Sequence, residues 1–324
     1  MAETSYVKAV TRALQEAMAE DPAVILIGED IASAGGSFKA TRGLLAEFGP
    51  DRVLDAPIAE AAITGIAVGA ALSGLRPVAE IMFMDFVTLS MDMLVNQAAK
   101  ARYMFGAQGS VPMVLRTPHG GGLSAGPQHS QCLEAWLAHV PGLKVVVPAT
   151  VEDAHGLLRA AIADPDPVIV IENKTLYGLK GELPEAPAPA RIGEAAVRRA
   201  GTDVTLVTYG AMLWTALEAA ATAEAEGISV EVVDLRSVQP WDEAAVLASL
   251  SKTHRLVIVH EAVEAFGVGA EVAAQMADVG FDELDAPIQR VAAPFSPVPF
   301  SPALENEWRP SETKILAALR RAMA

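Results

Sequence analysis

The sequence is poor in cysteine, in basic charge and in uninterrupted apolar length. Cys132 is the single cysteine in 324 residues, so no intrachain disulfide can form; that fits a reducing compartment, and no spacing motif marks Cys132 as a nucleophile. Lys and Arg number 24 against 40 Asp and Glu, giving a net charge of −16. Such a chain is repelled by a nucleic-acid backbone and by an anionic membrane, so neither is expected as a partner. The acidity keeps a protein soluble and leaves a basic protein partner open. Every long apolar stretch is broken by Gly, Pro or charge within helix-spanning length, and no basic start leads into an apolar run with a cleavage site. The expected location is the cytoplasm.

Several signatures are also missing. There is no Gly-x-x-x-x-Gly-Lys phosphate loop and no Gly-x-Gly-x-x-Gly between strand and helix; GVGAEV, from Gly267, lacks the third glycine. A Gly-x-Ser-x-Gly nucleophile elbow is absent, as are paired Cys or His at metal-ligand spacing.

What is present is a repeated alternation of short β-branched runs with longer helical ones, the mark of parallel α/β layers. Strands are expected at 24–27, 78–82, 111–115, 144–147 and 168–171, with helices at 6–19, 61–73, 86–102 and 151–163. Residues 183–192, LPEAPAPARI, hold three prolines and little that forms a core; they read as a linker. The alternation then restarts, with strands at 204–208, 230–234, 256–259 and 288–291 and helices at 212–226, 242–250, 268–276 and 313–321. The predicted organisation is α/β, two parallel-sheet domains at 1–182 and 194–324 joined by 183–193. The segment 294–302, PFSPVPFSP, is too proline-rich for a helix or sheet interior and is expected to follow the surface.

One carboxylate stands out. Glu60 opens a predicted helix with no further charge until Arg76, so it is not expected to be fully solvated and its proton affinity is open to tuning. The helix after it is built from Ala61, Ala62, Gly65, Ala67, Gly69, Ala70, Ala71, Ser73 and Gly74. Helix propensity does not explain that composition; either the helix packs tightly against a partner near a ligand or it is a buried central helix, and both readings take it off the surface. The glycine-rich loop 119–126, HGGGLSAG, follows a strand, where open parallel sheets place ligands. At its far end His129 is framed by Gln128, Ser130 and Gln131, which could orient a ring; on the residues alone, a structural and a chemical role stay open for it.

The run DAPIAEAAITGIAVGAALSGLRPVAEIMFMDF, then NQAAKARYMFG, PQHSQCLEAWLAHVPGLKVVVPAT, DPVIVIENKTLYG, VTLVTYGAM, VEVVDLRSVQPWD and APFSPVPFSP resemble, in one order over nearly the whole chain, the beta subunit of the thiamine diphosphate-dependent decarboxylating component of 2-oxo acid dehydrogenase complexes. The resemblance implies a pyrimidine-binding domain followed by a transketolase C-terminal-like domain. It implies that Glu60 hydrogen-bonds a ring nitrogen of the cofactor's aminopyrimidine and favours the imino tautomer, and that Phe86 packs on that ring, with Ile58 and Glu29 completing the cofactor-binding set. His129 matches the active-site histidine near the substrate, implicated in proton transfer and in reductive acylation of the lipoyl group. A monovalent cation site, for potassium in some relatives, would fall on Met113, Ala161, Ile162, Asp164 and Asp166, mainly through carbonyls.

No Gly-Asp-Gly segment occurs here, although enzymes that use this cofactor hold magnesium and the diphosphate with one. The resemblance therefore implies that those groups are held by a separate alpha subunit in an alpha-2 beta-2 heterotetramer, and that the C-terminal domain docks the dihydrolipoyl acyltransferase core. EIMFMDF, NQAAKARYMFG, LKGELP and SPVPFS look most like acetoin dehydrogenase beta subunits; the expected substrate is acetoin or a 2-oxo acid such as pyruvate. The alternatives are a branched-chain 2-oxo acid enzyme, a non-catalytic scaffold for the acyltransferase core, and a generic α/β nucleotide-binding protein.

Overall fold

In the computed structural model, residues 2–188 and 190–324 are described. Pro189 of the expected linker lies outside them. In chain order the first half contains β1 (Ala2–Ser5), α1 (Tyr6–Glu20), β2 (Val24–Gly28), α2 (Leu44–Phe48), β3 (Val53–Asp55), α3 (Glu60–Leu72), β4 (Arg76–Glu80), α4 (Ala99–Met104), β5 (Val114–His119), α5 (Glu134–Ala138), β6 (Lys144–Val146), α6 (Val151–Ala163), β7 (Val168–Asn173) and β8 (Lys180–Leu183). The second half contains β9 (Ala196–Arg199), β10 (Val204–Thr208), α7 (Met212–Ala225), β11 (Val230–Asp234), β12 (Ser237–Gln239), α8 (Glu243–Thr253), β13 (Leu256–Val263), α9 (Val268–Val279), β14 (Gln289–Ala293), α10 (Pro302–Trp308) and α11 (Glu312–Met323). The chain divides into two units, Met1–His119 with Trp136–Ile192, and Gly120–Ala135 with Gly193–Ala324.

The first unit holds parallel strands in the order β6-β7-β5-β4-β2-β3. All six residues of β7 are buried, as are all five of β2, which is why these strands read as unbroken apolar runs rather than alternating ones. Helix α1 buries Tyr6, Ala9, Val10, Ala13, Leu14, Ala17 and Met18, one helical stripe. Its polar side meets α6 through His155 Nε2 and Glu16 Oε2, 2.8 Å apart. Helix α6 is capped by Thr150, whose Oγ1 accepts the Asp153 N–H.

The second unit has the strand order β14-β13-β10-β11-β9, parallel except for β9, which runs antiparallel along β11. The proline-rich segment alternates, with Phe295 and Phe300 exposed and Val298 buried in a cluster with Ala293 and Trp308. The Trp308 indole N–H is 3.1 Å from both oxygens of Ser296.

Three elements depart from expectation. The strand expected at 111–115 forms at 114–119, because Pro112 has no N–H to give a ladder and β5 finds its partners from Val114 to His119 along β7. The helix expected over 86–102 is a succession of 3-10 turn (Met84–Ser90), π-helix (Met93–Ala98) and α4. In the 3-10 turn a hydroxyl competes with the regular ladder, Thr88 Oγ1 donating to the Asp85 carbonyl, and Ser90 Oγ ties the turn to α3 through the Glu60 carbonyl. Finally, α3 is not enclosed within this chain. Glu60, Ile63, Thr64, Ala67, Val68 and Ala71 are buried, whereas Ile66 and Leu72 on the other face are about half exposed, at 53% and 47%. A Cβ on Gly65 would meet Met93, but one on Gly69 would meet nothing within 4 Å; only part of the small-residue surface is used for close packing inside the chain.

Candidate active site

Parallel strands gather their following loops at one edge of the sheet. Glu29 follows β2 directly, Ile58 and Glu60 follow β3, and Phe86 lies beyond β4; these three strands are neighbours. The four expected cofactor-binding residues therefore follow the carboxyl ends of adjacent strands. Glu60 is the first residue of α3 and is buried, and the Ser90 hydroxyl, itself accepting from Thr64 at 2.7 Å, donates to its carbonyl at 3.0 Å. Glu29 is buried as well, and its Oε1 has no hydrogen-bond partner among the described residues. Burial first, then the negative charges of Glu60 and Asp30, push the Glu29 carboxyl above its ordinary value. Ile58 is exposed, and the half-buried Phe86 ring stands edge-on to Phe83 with centroids 6.1 Å apart. An orphaned buried carboxylate oxygen beside a second carboxylate, with an aliphatic and an aromatic side chain on the same edge, fits a ligand that carries a ring and at least one hydrogen-bond donor.

A charge cluster in the same unit was not anticipated. Arg116 is buried on β5, its NH1 2.7 Å from Glu80 Oε2 and its Nε and NH2 2.8 and 2.7 Å from the two Glu172 oxygens. The Tyr177 hydroxyl donates to Glu172 at 2.7 Å. Burial opposes the Arg116 charge, but Glu172 and Glu80 outweigh it and hold the guanidinium above its ordinary value. Burial raises Glu80, Arg116 opposing and Glu172 adding. The sequence signal was present: each of VAE, VLR and VIVIE is an apolar strand that runs into a charged residue.

In the second unit, the glycine-rich loop is held by two carboxylates far along the chain. The Gly121 N–H donates to Glu261 Oε1 at 2.8 Å, the Gly122 N–H to Glu305 Oε1 at 2.8 Å and the Ser124 N–H to Glu305 Oε2 at 2.9 Å. Glu261 and Glu305 are both buried. Gly126, at φ +76°, lies so close to Phe300 that an added Cβ would fall 2.1 Å from its ring. His129, half-buried, closes the turn that begins at Gly126, its N–H 3.3 Å from the Gly126 carbonyl. Sequence reasoning found the loop and His129 but not Glu261 or Glu305, which are separated from the loop by 140 and up to 183 positions.

The five residues of the expected cation set all lie in the first unit, where their groups are engaged. Arg76 NH1 donates to the Ile162 and Asp164 carbonyls at 2.9 and 3.3 Å; the Met113 carbonyl accepts the Val168 N–H and the Ala161 carbonyl the Asp164 N–H. Lys144 pairs with the Asp164 carboxylate at 2.7 Å, and Arg102 with Asp166 at 2.5 Å. Two protein cations, Lys144 and Arg102, already face the two carboxylates, and a third, Arg76, meets two of the carbonyls, so this set fits a further cation poorly.

The chain matches the transketolase pyrimidine-binding domain over residues 2–180 and the transketolase C-terminal domain over residues 193–315. It is 48% identical over 321 residues to the acetoin:2,6-dichlorophenolindophenol oxidoreductase subunit beta of Bacillus subtilis, covering 95% of this chain and 94% of that protein. It is 47% identical over 319 residues to the pyruvate dehydrogenase E1 component subunit beta-2 of rice, covering 97% and 85%. The chain belongs to the family of thiamine diphosphate-dependent dehydrogenase beta subunits. The 2-oxoisovalerate dehydrogenase subunit beta of Bacillus subtilis, another member, is 44% identical over 322 residues, covering 99% and 98%. Among solved structures, a split-gene transketolase, an inactive beta4 tetramer, shares the two-domain fold with a TM-score of 0.81 at 25% identity over 98% of both chains. In this beta subunit, as described, no helix is long and apolar enough to cross a membrane.

Proposed function

We propose that this beta subunit works with an alpha subunit, in an alpha-2 beta-2 heterotetramer, to cleave acetoin or decarboxylate a 2-oxo acid such as pyruvate and to pass the acyl group to a lipoyl group. The observation that carries the reading is the buried Glu60 carboxylate at the start of α3, beside the buried Glu29. When bound, thiamine diphosphate supplies the carbanion chemistry, and the protein supplies position and proton management. Glu60 would hold the aminopyrimidine ring through a hydrogen bond to one of its nitrogens, sharing a proton there. Glu29, its carboxyl pushed above the ordinary value first by burial and then by the charges of Glu60 and Asp30, supplies a second buried carboxyl beside Glu60. Ile58 and Phe86 supply apolar contact to the ring, and His129 moves a proton at the substrate and serves the acyl transfer.

The alpha subunit holds magnesium and the diphosphate, since this sequence has no Gly-Asp-Gly segment. The open apolar face of α3, with Ile66 and Leu72, supports close packing by that partner. The acyltransferase core docks on the C-terminal domain, a role supported by a groove of about 770 Å³ lined by Ala273, Ala277, Phe281 and Asp282 among others. We take the domains as 1–182 and 194–324 with 183–193 between them, and the location as cytoplasmic. No monovalent cation is included, because the candidate set carries its own counter-charges.

The test is to purify the chain with its alpha subunit and follow 2,6-dichlorophenolindophenol reduction with acetoin and with pyruvate at saturating cofactor. Glu60→Gln keeps the shape and removes the proton exchange, and turnover is expected to fall by about 10²–10⁴-fold. Full turnover of Glu60→Gln, or activity of the lone wild-type chain, refutes the proposal.

A further inference from the structure

The glycine-rich loop is anchored in a way that its composition does not require. Gly120, Gly122 and Gly126 adopt φ of +89°, +95° and +76°, so the loop by itself has access to many conformations. Three of its N–H groups, on Gly121, Gly122 and Ser124, nevertheless meet carboxylate oxygens of only two side chains, Glu261 on β13 and Glu305 on α10. Glu261 Oε1 also accepts from Arg309 Nε at 3.0 Å, and the Arg309 N–H donates to the Glu305 carbonyl, so the two anchors are tied together. Burying two carboxylates is a costly means of ordinary packing, but an acceptor-only group is what a row of backbone donors needs. There is no slack: a Cβ on Gly121 would sit 3.1 Å from Glu305 Oε1, and Gly126 is pressed against Phe300. Between these fixed points the loop has one path, and His129 begins three residues beyond its end.

We propose that Glu305, assisted by Glu261, is a positioning residue for His129: its two oxygens fix the path of the glycine-rich loop and thereby the place of the histidine during acyl transfer. The proposal rests on the reading of His129 given above. Glu305→Gln is the direct probe, because its amide can accept from one backbone N–H but turns a donor toward the other. Gly121→Ala is the second, since it keeps the charge and crowds the anchor.

With the alpha subunit present, two turnover rates separate the possibilities, one with 2,6-dichlorophenolindophenol and one with free lipoamide as acceptor. His129→Ala is expected to lower the lipoamide rate more than the dye rate. Glu305→Gln and Gly121→Ala are expected to reproduce that imbalance, with a fall of about 10–100-fold in lipoamide kcat, the scale of an ångström of misplacement, and with unchanged cofactor affinity. The double variant Glu305→Gln/His129→Ala is expected to be no slower than His129→Ala alone, because both changes act through one group. If His129→Ala shows the imbalance but Glu305→Gln and Gly121→Ala lower both rates equally, or if the double variant multiplies the two losses, the positioning role is refuted while the reading of His129 stands. If His129→Ala leaves both rates intact, the reading of His129 falls and the positioning role falls with it.

Discussion

Replacing Arg116 with Met tests the buried charge cluster most severely. Arg116 and Glu172 are essentially inaccessible and Glu80 nearly so, with side-chain exposures of 3%, 1% and 10%. Methionine fills most of the volume, so the main loss is the positive charge that two buried carboxylates share through three nitrogen contacts of 2.7–2.8 Å. Stranding one buried ion costs about 3–5 kcal/mol; here two are stranded, so the upper end applies. At about 2–4 °C per kcal/mol for a body of this size, the melting temperature is expected to fall by on the order of 10 °C. The loss also depends on pH in a definite sense. Glu80 already has a folded-state value above its ordinary 4.5, and a raised acid contributes stability that is present below the unfolded value and lost as pH rises through the folded one. Removing Arg116 lifts it further, so the deficit of Arg116→Met is small near pH 4.5 and grows toward pH 8. Calorimetric scans of wild type and variant at several pH values read this directly. A deficit below about 1 kcal/mol, or one that does not change between pH 4.5 and pH 8, refutes the account of the cluster.

Two further outcomes follow from the same kind of reasoning. His260, fully buried and stacked near Tyr209, is lowered from 6.5 to about 4, first by burial, then by Arg290, with the Ala262 backbone opposing; its contribution is full above pH 6.5 and is lost as pH falls toward 4, so His260→Phe should flatten the acid limb of the melting curve by up to about 3 kcal/mol, and an unchanged limb counts against it. Ile66→Glu places a charge on the open face of α3, and it should leave the melting temperature of the isolated chain within a few degrees while abolishing co-purification of the alpha subunit; retained co-purification removes that face from the proposed interface.

Legibility in the sequence followed the range of the forces. The strands from Val24, Val168, Val204 and Val230 were visible because burial on both faces demands consecutive apolar residues. The helix opening at Glu60 was visible because charge stops there. The 3-10 turn from Met84 to Ser90 was not, since side-chain hydroxyls of Thr88 and Ser90 take backbone carbonyls there, and nothing local in MLVNQA marks the π segment that follows. Nor was the open side of α3: small apolar residues look alike whether a helix is covered by its own chain or by another. Glu261 and Glu305 stayed hidden because nothing local distinguishes an acceptor for distant backbone amides from a solvated acid.

The second unit is not a continuous piece of chain. Gly120–Ala135 belongs to it, although the strands on either side of that segment, β5 and β6, belong to the first unit. During synthesis those sixteen residues emerge before most of the sequence that fixes them, and α10, with Glu305, follows some 180 positions later. The segment carrying His129 therefore waits for α10, a long-separation contact of the kind that slows folding. A chain ended shortly before residue 300 would hold every strand of its first sheet and lack the Glu305 anchor of the loop, so for this family member synthesis through α10 is itself a condition for assembling the site.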